Sequence, residues 1–259
     1  MLARSVASLA AAAWGWQSIY AISAGLMLVI AVALARLLPR RQPAHSATYP
    51  QLVGSVLAVA RSEPVLRRRA AAQALMFGAF TAYWTAIVYE LTGRHHLGQV
   101  GVAVFALVGA AGAAAAPVAG RLGDRGLSRP VRGISVLLGL AAMAVAVFGS
   151  FSLVLLALSA VLLDFAVQGT NVLSVRDIYA LRPEARARIN SVYMTSVFVG
   201  GAISSALTGV IQAHWGWTGV AILAMAMVAV SGLVWLADLR AARRPVGADA
   251  VPDATAPAA

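Results

Sequence analysis

Residues 119–130 read AGRLGDRGLSRP, preceded by GAAGAAAAPV and followed by VRGISVLLGLAAMAVAVF. One carboxylate and three arginines are thus wedged between two strongly apolar runs. Working outward, the same alternation recurs along the chain. Only uncharged residues separate Arg4 from Arg36, Arg69 from Glu90, Arg94 from Arg121, Arg132 from Asp164, and Arg188 from Asp238. The chain is 61% hydrophobic and 11% charged, against roughly 25% charged in an average soluble domain. This is the composition of a membrane protein.

A transmembrane helix needs about 20 such residues. The intervals opening at Arg132 and Arg188 hold two spans or most of two, split at GSFS (149–152) and at HWGW (214–217). Spans are expected at Gln17–Leu38, Ala70–Leu91, Val100–Gly120, Val131–Gly149, Ser152–Val175, Ile189–Ala213 and Thr218–Leu239. The expected fold is all-α, a polytopic transmembrane bundle of seven full spans. Met1–Ala13 is apolar but only about 20 Å long as a helix, too short to cross. It has some features of a signal peptide, yet it runs into WGW and another full span, so the preferred reading is an amino-terminal helix stub.

The net charge of +11 comes from arginine alone, with no lysine. All but Arg4 and Arg94 lie in alternate loops: Arg36–Arg69, Arg121–Arg132, Arg176–Arg188 and Arg240–Arg244. The intervening loops hold almost no charge. This is a positive-inside pattern, not a nucleic-acid surface, and it assigns the arginine-rich loops and the carboxyl tail to the cytoplasm. There is no cysteine, so thiolate metal sites and disulfides are excluded. His95 and His96 read as a polar loop pair. The tail, residues 240–259, is short of anything to bury beyond its first residues and is expected to be disordered.

Trp14-Gly15-Trp16 and Trp215-Gly216-Trp217 each stand after an apolar approach and before an apolar span with a basic ending, ARLLPRRQP in one case and ADLRAARRP in the other. Six spans cross between the two motifs. A six-helix unit repeated in parallel is expected, and such repeats point to a major facilitator architecture. On that count residues 1–38 are the end of an amino-terminal bundle, 39–69 a central cytoplasmic loop, and 70–239 a carboxy-terminal six-helix bundle.

The loop quoted first then resembles the G-x-L-x-D-R-x-G-R-R signature of major facilitator superfamily transporters, in the copy between helices eight and nine. Gly120, Leu122, Asp124 and Arg125 occupy signature positions; of the following G-R-R only Arg129 remains. The resemblance implies a gating loop, with a partner for Asp124 in helix five of the other half. Gly120 is expected to let its helix end tightly. RPEARARINSVYMTSVFVGGAISSALTG is similar to helix eleven and its approach in bacterial drug and sugar efflux permeases, and YPQLVGSVLAVARSEPVLRRRA to their central loop. Gly201, Ser205 and Gly209, and likewise Gly112, Ala116 and Gly120, read as small-residue packing stripes.

Two carboxylates fall inside apolar spans. Glu90 lies at an outer helix end and is expected to reach headgroups and water. Asp164 lies near mid-membrane, where a carboxylate is costly enough to mark function, and Gln168 and Asn171 share its face. Either this row lines a cavity and takes substrate or a proton, or Asp164 is a protonated packing group. Gln73, Phe77, Phe80, Thr81 and Trp84 share a face of the first helix of the carboxy-terminal bundle, Ala70–Leu91, readable as an aromatic wall for a flat solute or as core.

The expected function is transport of a small solute by alternating access, coupled to protons and directed outward, with the lipid bilayer, a small-molecule substrate and protons as partners. The resemblance implies neither an enzyme nor a cofactor. The alternative is a non-transporting fragment or half-transporter that needs the missing amino-terminal half.

Overall fold

The computed structural model describes residue 10, residues 13–38 and residues 49–243. The expected amino-terminal stub lies almost wholly outside the described residues, as do residues 39–48 of the central loop and residues 244–259 of the tail. The described chain is helical: α1 (Gln17–Leu37), α2 (Tyr49–Ser62), α3 (Pro64–Gly93), α4 (Gln99–Val108), a 3₁₀ segment (Gly109–Ala114), α5 (Ala115–Asp124), α6 (Ser128–Phe148), α7 (Leu153–Tyr179), a 3₁₀ turn (Pro183–Ala185) and α8 (Arg186–Arg243). It is a polytopic helical membrane bundle. Among the described residues five helical stretches are long and apolar enough to cross a membrane by length and composition, and large apolar side chains such as Leu137, Phe148 and Val154 face outward.

The fifth of those stretches contains α8, a 58-residue helix with one non-helical residue, Gly216, at φ 60°, ψ −157°. Its limbs, residues 186–215 and 217–243, are about 45 and about 40 Å long at 1.5 Å per residue. Each is long enough to cross. Gly15, in the other WGW turn, also has a positive φ, 83°. Both motifs therefore centre on a glycine with positive φ, a conformation that side chains with a Cβ rarely adopt.

One expected span is not a continuous helix. Between α4 and α5 the backbone tightens into a 3₁₀ segment, GAAGAA. Pro117 explains the site of the break: it lacks the N–H that would bond to the carbonyl of residue 113, and its ring clashes there. The glycines at 109 and 112 add little helix propensity to resist.

The ends of two other elements also depart from expectation. The central loop contains the helix α2, and α3 begins at Pro64, six residues ahead of the span expected from Ala70. Proline suits a first helical turn. The tight end of α5 is made not by Gly120 but by Gly126 at φ 80°. There the amide of Gly126 donates to the carbonyl of Gly123 (3.0 Å) and that of Leu127 to Leu122 (3.1 Å), the Schellman pattern. Gly120 lies inside α5, where an added Cβ would meet nothing nearer than Val172, at 4.0 Å.

α3 packs between the limbs of α8. The Ser204 hydroxyl donates to the Gly78 carbonyl (2.6 Å) from one limb, and Ser231 to Ala72 (3.0 Å) from the other. Gly200 permits the close approach, since a Cβ there would lie 2.6 Å from the Ala74 carbonyl oxygen. The buried row on this limb is Gly201, Ser204 and Thr208, not Gly201, Ser205 and Gly209; Gly209 faces open space. On its other side α3 meets α7, with the Tyr83 hydroxyl on the Leu156 carbonyl (2.8 Å). α6 closes the bundle against α7 and the second limb of α8, where Trp217 donates to the Ala146 carbonyl (2.7 Å). In α1, by contrast, no residue is buried.

Candidate functional site

Asp164 stands eleven residues into α7, about 17 Å along the helix, and is 2% exposed. The indole N–H of Trp84, on α3, donates to its Oδ1 at 3.1 Å. The 3₁₀ segment covers the carboxyl from the other side: a Cβ on Gly112 would fall 2.2 Å from the Asp164 Cβ and 3.1 Å from Oδ2. Helix interruption and glycine together let the backbone lie on this side chain. A carboxylate here is enclosed by α3, α7 and the break in the α4–α5 path.

The other members of the row are less deeply placed. Gln168 and Asn171 are half-buried, and Asn171 Oδ1 accepts from the Tyr193 hydroxyl on α8 (2.9 Å). Gln73 is buried and its amide N–H donates to the Val167 carbonyl (3.4 Å), while its own carbonyl oxygen has no hydrogen-bond partner among the described residues. α7 thus presents Asp164 and Asn171 to two different helices, joined to both by direct hydrogen bonds.

The expected aromatic wall divides. Trp84 is 2% exposed, with its ring edge-on to Tyr83 and Phe105, and belongs to the core. Phe77, Phe80 and Thr81 are half-buried; Phe77 stacks on Phe80 at 5.7 Å and meets Phe198 edge-on. Glu90 does not reach water: it is 7% exposed and ion-paired with Arg94, one turn on (2.6 Å). The imidazole of His95 bonds to the Ser150 carbonyl (2.8 Å), tying two loops together.

In the AGRLGDRGLSRP segment, residues 119–130, Asp124 pairs with Arg176 at the end of α7 (3.3 Å). This pairing is within the same bundle. Arg176 reaches it by crossing Gly123, where a Cβ would lie 2.7 Å from Nη1. Arg125 and Arg129 are exposed, and Leu122 is half-buried.

Next to this loop is a charge cluster that sequence reading missed. Asp177 Oδ2 accepts from Arg69 Nε (3.0 Å) and Arg132 Nη2 (2.7 Å). Arg69 also pairs with Asp238, which holds Arg68 at 2.7 Å. Arg132 is only 5% exposed and donates to the Leu173 carbonyl as well (2.9 Å). The cluster joins the start of α3, the start of α6, the end of α7 and the end of α8. Arginines at helix amino termini oppose the helix dipole, and these two aspartates offset that. The available signal was an arginine set inside an apolar helix, at Arg132, with carboxylates at the ends of the helices beside it.

Comparison with known proteins accords with this architecture. The family described as the Major Facilitator Superfamily matches residues 1–180 and, in a second overlapping match, residues 69–257. The uncharacterized transporter YgaY of Escherichia coli O157:H7 is 36% identical over 238 residues, 91% of this chain and 60% of that protein. A Streptomyces coelicolor protein described as a probable transporter is 34% identical over 228 residues, 86% of this chain and 52% of that protein. The chain therefore spans between half and two thirds of the length of these relatives.

Proposed function

Because the chain belongs to the major facilitator superfamily, we propose that it takes part in membrane transport of a small solute by alternating access, coupled to protons and directed outward. The observation that carries the reading is the enclosure of Asp164. A carboxyl 2% exposed, bonded by an indole N–H and overlaid by a glycine backbone, takes up and loses a proton only when its surroundings rearrange. Coupling needs that linkage between protonation and conformation. Gln168, Asn171 and Gln73 supply amide groups beside it for solute, and Phe77 with Phe80 an apolar surface.

The Asp124–Arg176 pair and the neighbouring Arg125 and Arg129 act in this scheme as a gating loop, breaking and remaking contacts as the bundle rocks. The positive-inside pattern puts that loop and the carboxyl terminus on the cytoplasmic side of a cell membrane. The test is uptake and efflux of a panel of drugs and sugars in vesicles, with and without a pH gradient; transport unaffected by the gradient eliminates proton coupling.

A second reading is favoured by α1, which contributes no buried residue to the bundle. α3–α8 form one wall of a rocking pair, and the opposing wall is supplied by an amino-terminal half or a second copy. Transport by this chain only when an amino-terminal half is co-expressed supports the half-transporter; robust transport by the purified monomer eliminates it.

A further inference from the structure

A cavity of about 270 Å³ opens among the helix ends of the charge cluster, lined by Arg68, Arg69, Arg129, Arg132, Trp235 and Asp238. Beneath it a hollow of about 10 Å³, shared by Arg69, Arg132 and Trp235, reaches Thr170, Ser174 and Ser231. That is room for about one oxygen atom of water size.

Among the described residues, four buried polar atoms on these walls have no hydrogen bond: Arg68 Nε, which is ion-paired with Asp238 (2.7 Å), the Ser174 hydroxyl, which can donate or accept, and the two N–H groups Arg132 Nε and Trp235 Nε1. Arg132 is 95% buried and its Nη2 is already engaged by Asp177 and the Leu173 carbonyl. Trp235 is wedged against α6, where a Cβ on Gly133 would lie 2.8 Å from its ring. Both groups can only donate, and leaving them unmade is costly. What complements them is an acceptor. A water would satisfy the donors but not the charge, because the four guanidinium groups outnumber Asp238 and the adjoining Asp177. An anionic oxygen meets both demands, and guanidinium forks match phosphate in shape as well as charge.

We propose that this cavity is a phosphate-binding site, with Arg129 and Arg68 at its mouth and the N–H groups of Arg132 and Trp235 on its inner wall. Basic pockets between transmembrane helices at the cytoplasmic side take anionic lipid headgroups, and a soluble phosphate presents the same oxygens. Bound there, a phosphate links α3, α6 and the second limb of α8, three elements otherwise joined at this end through the two aspartates.

The test uses the purified full chain in phosphatidylcholine nanodiscs, first titrated with radiolabelled inorganic phosphate. In a second arm it is prepared in discs containing phosphatidylglycerol and assayed for retained lipid by native mass spectrometry. Trp235→Phe keeps the ring and removes the donor, Arg129→Gln removes an exposed charge, and Arg188→Gln is an exposed arginine outside the cavity. Wild type is expected to bind at least one probe, with the cavity variants weakened about tenfold and Arg188→Gln changed less than about twofold, the first difference being roughly 1.4 kcal/mol. Saturable phosphate binding in phosphatidylcholine discs identifies a soluble ligand; retained phosphatidylglycerol that phosphate does not displace identifies the lipid. If folded wild-type protein binds neither probe, or if both cavity variants bind as Arg188→Gln does, the proposal is overturned. Should Trp235→Phe fail to fold, the exposed Arg129→Gln decides alone.

Discussion

Trp84 and Asp164, eighty residues apart in sequence, are joined in the bundle core by an N–H···O bond of 3.1 Å, with both side chains 2% exposed. A hydrogen bond to a carboxyl group is worth about 1–3 kcal/mol, and a buried acceptor left behind keeps its desolvation cost. Trp84→Phe retains a ring for Tyr83 and Phe105 to pack on and removes the donor. It is expected to lower unfolding stability by about 1–3 kcal/mol, measured by thermal unfolding in detergent. A variant as stable as wild type would show that the indole is placed by packing alone.

Gly112 and Gly120 belong to one apparent small-residue stripe but occupy different environments. Gly112→Ala sets a methyl group 2.2 Å from the Asp164 Cβ, and such overpacking costs about 1–3 kcal/mol. Gly120→Ala meets nothing nearer than 4.0 Å and gains helix propensity, so it is expected to be neutral or stabilising by up to about 1 kcal/mol. Unfolding midpoints of the two variants, moving in opposite directions, check this.

Helix positions are legible in the sequence because charges punctuate apolar runs at intervals that match a bilayer. The start of α1 at Gln17 and of α7 near Ser152 follow directly. Legibility ends where one residue acts on another far along the chain. The path from Val100 to Gly120 reads as a uniform apolar span, and only Pro117, with the packing of Gly112 on a side chain 52 positions later, turns it into a broken one. The Asp164 row is visible as three polar residues at helical spacing, but not its Trp84 partner, since an indole in an apolar helix looks like core. Arg132 reads as loop charge because an arginine at a span boundary is usually solvated; its burial depends on Asp177, brought to it by the antiparallel pairing of α6 and α7.

Two of the carboxylates paired at the arginine-rich end, Asp177 and Asp124, should differ sharply. Asp177 neutralises Arg132, which is 5% exposed, and stripping a buried charge of its partner costs about 3–5 kcal/mol. Asp177→Ala is expected near the lower figure, because the Asp177 side chain is itself 27% exposed. The Asp124 side chain is 78% exposed, and pairs of that kind contribute about 0–1 kcal/mol. Asp124→Asn should leave the melting temperature almost unchanged while, in a transport-competent assembly, slowing both uphill and downhill transport if the proposed gating role holds. Equal destabilisation by both changes would contradict the assignment of one to structure and the other to gating.

Orientation is testable on a clean background, since the chain has no cysteine. Leu127 and Glu184 are exposed at the arginine-rich end, and Gly98 and Phe151 at the opposite end. In intact cells a membrane-impermeant thiol reagent should label cysteines introduced at Gly98 and Phe151, and reach those at Leu127 and Glu184 only after lysis. The reverse pattern inverts the topology.

Asp164→Asn separates a coupling role from a packing role because the substitution preserves shape and an acceptor oxygen. The Trp84 N–H keeps its partner, so the variant is expected to fold, insert and melt within about 1 kcal/mol of wild type, as near-isosteric changes with satisfied hydrogen bonds do. What is lost is the titratable proton. In a transport-competent assembly, uphill efflux driven by a pH gradient should disappear, while downhill exchange, which needs only the conformational cycle, persists. The paired measurement is substrate flux in vesicles with the gradient imposed and then collapsed. Asp164→Asn protein that pumps at the wild-type rate with an unchanged pH profile would make Asp164 a packing group, and the coupling acid would have to be a different carboxyl.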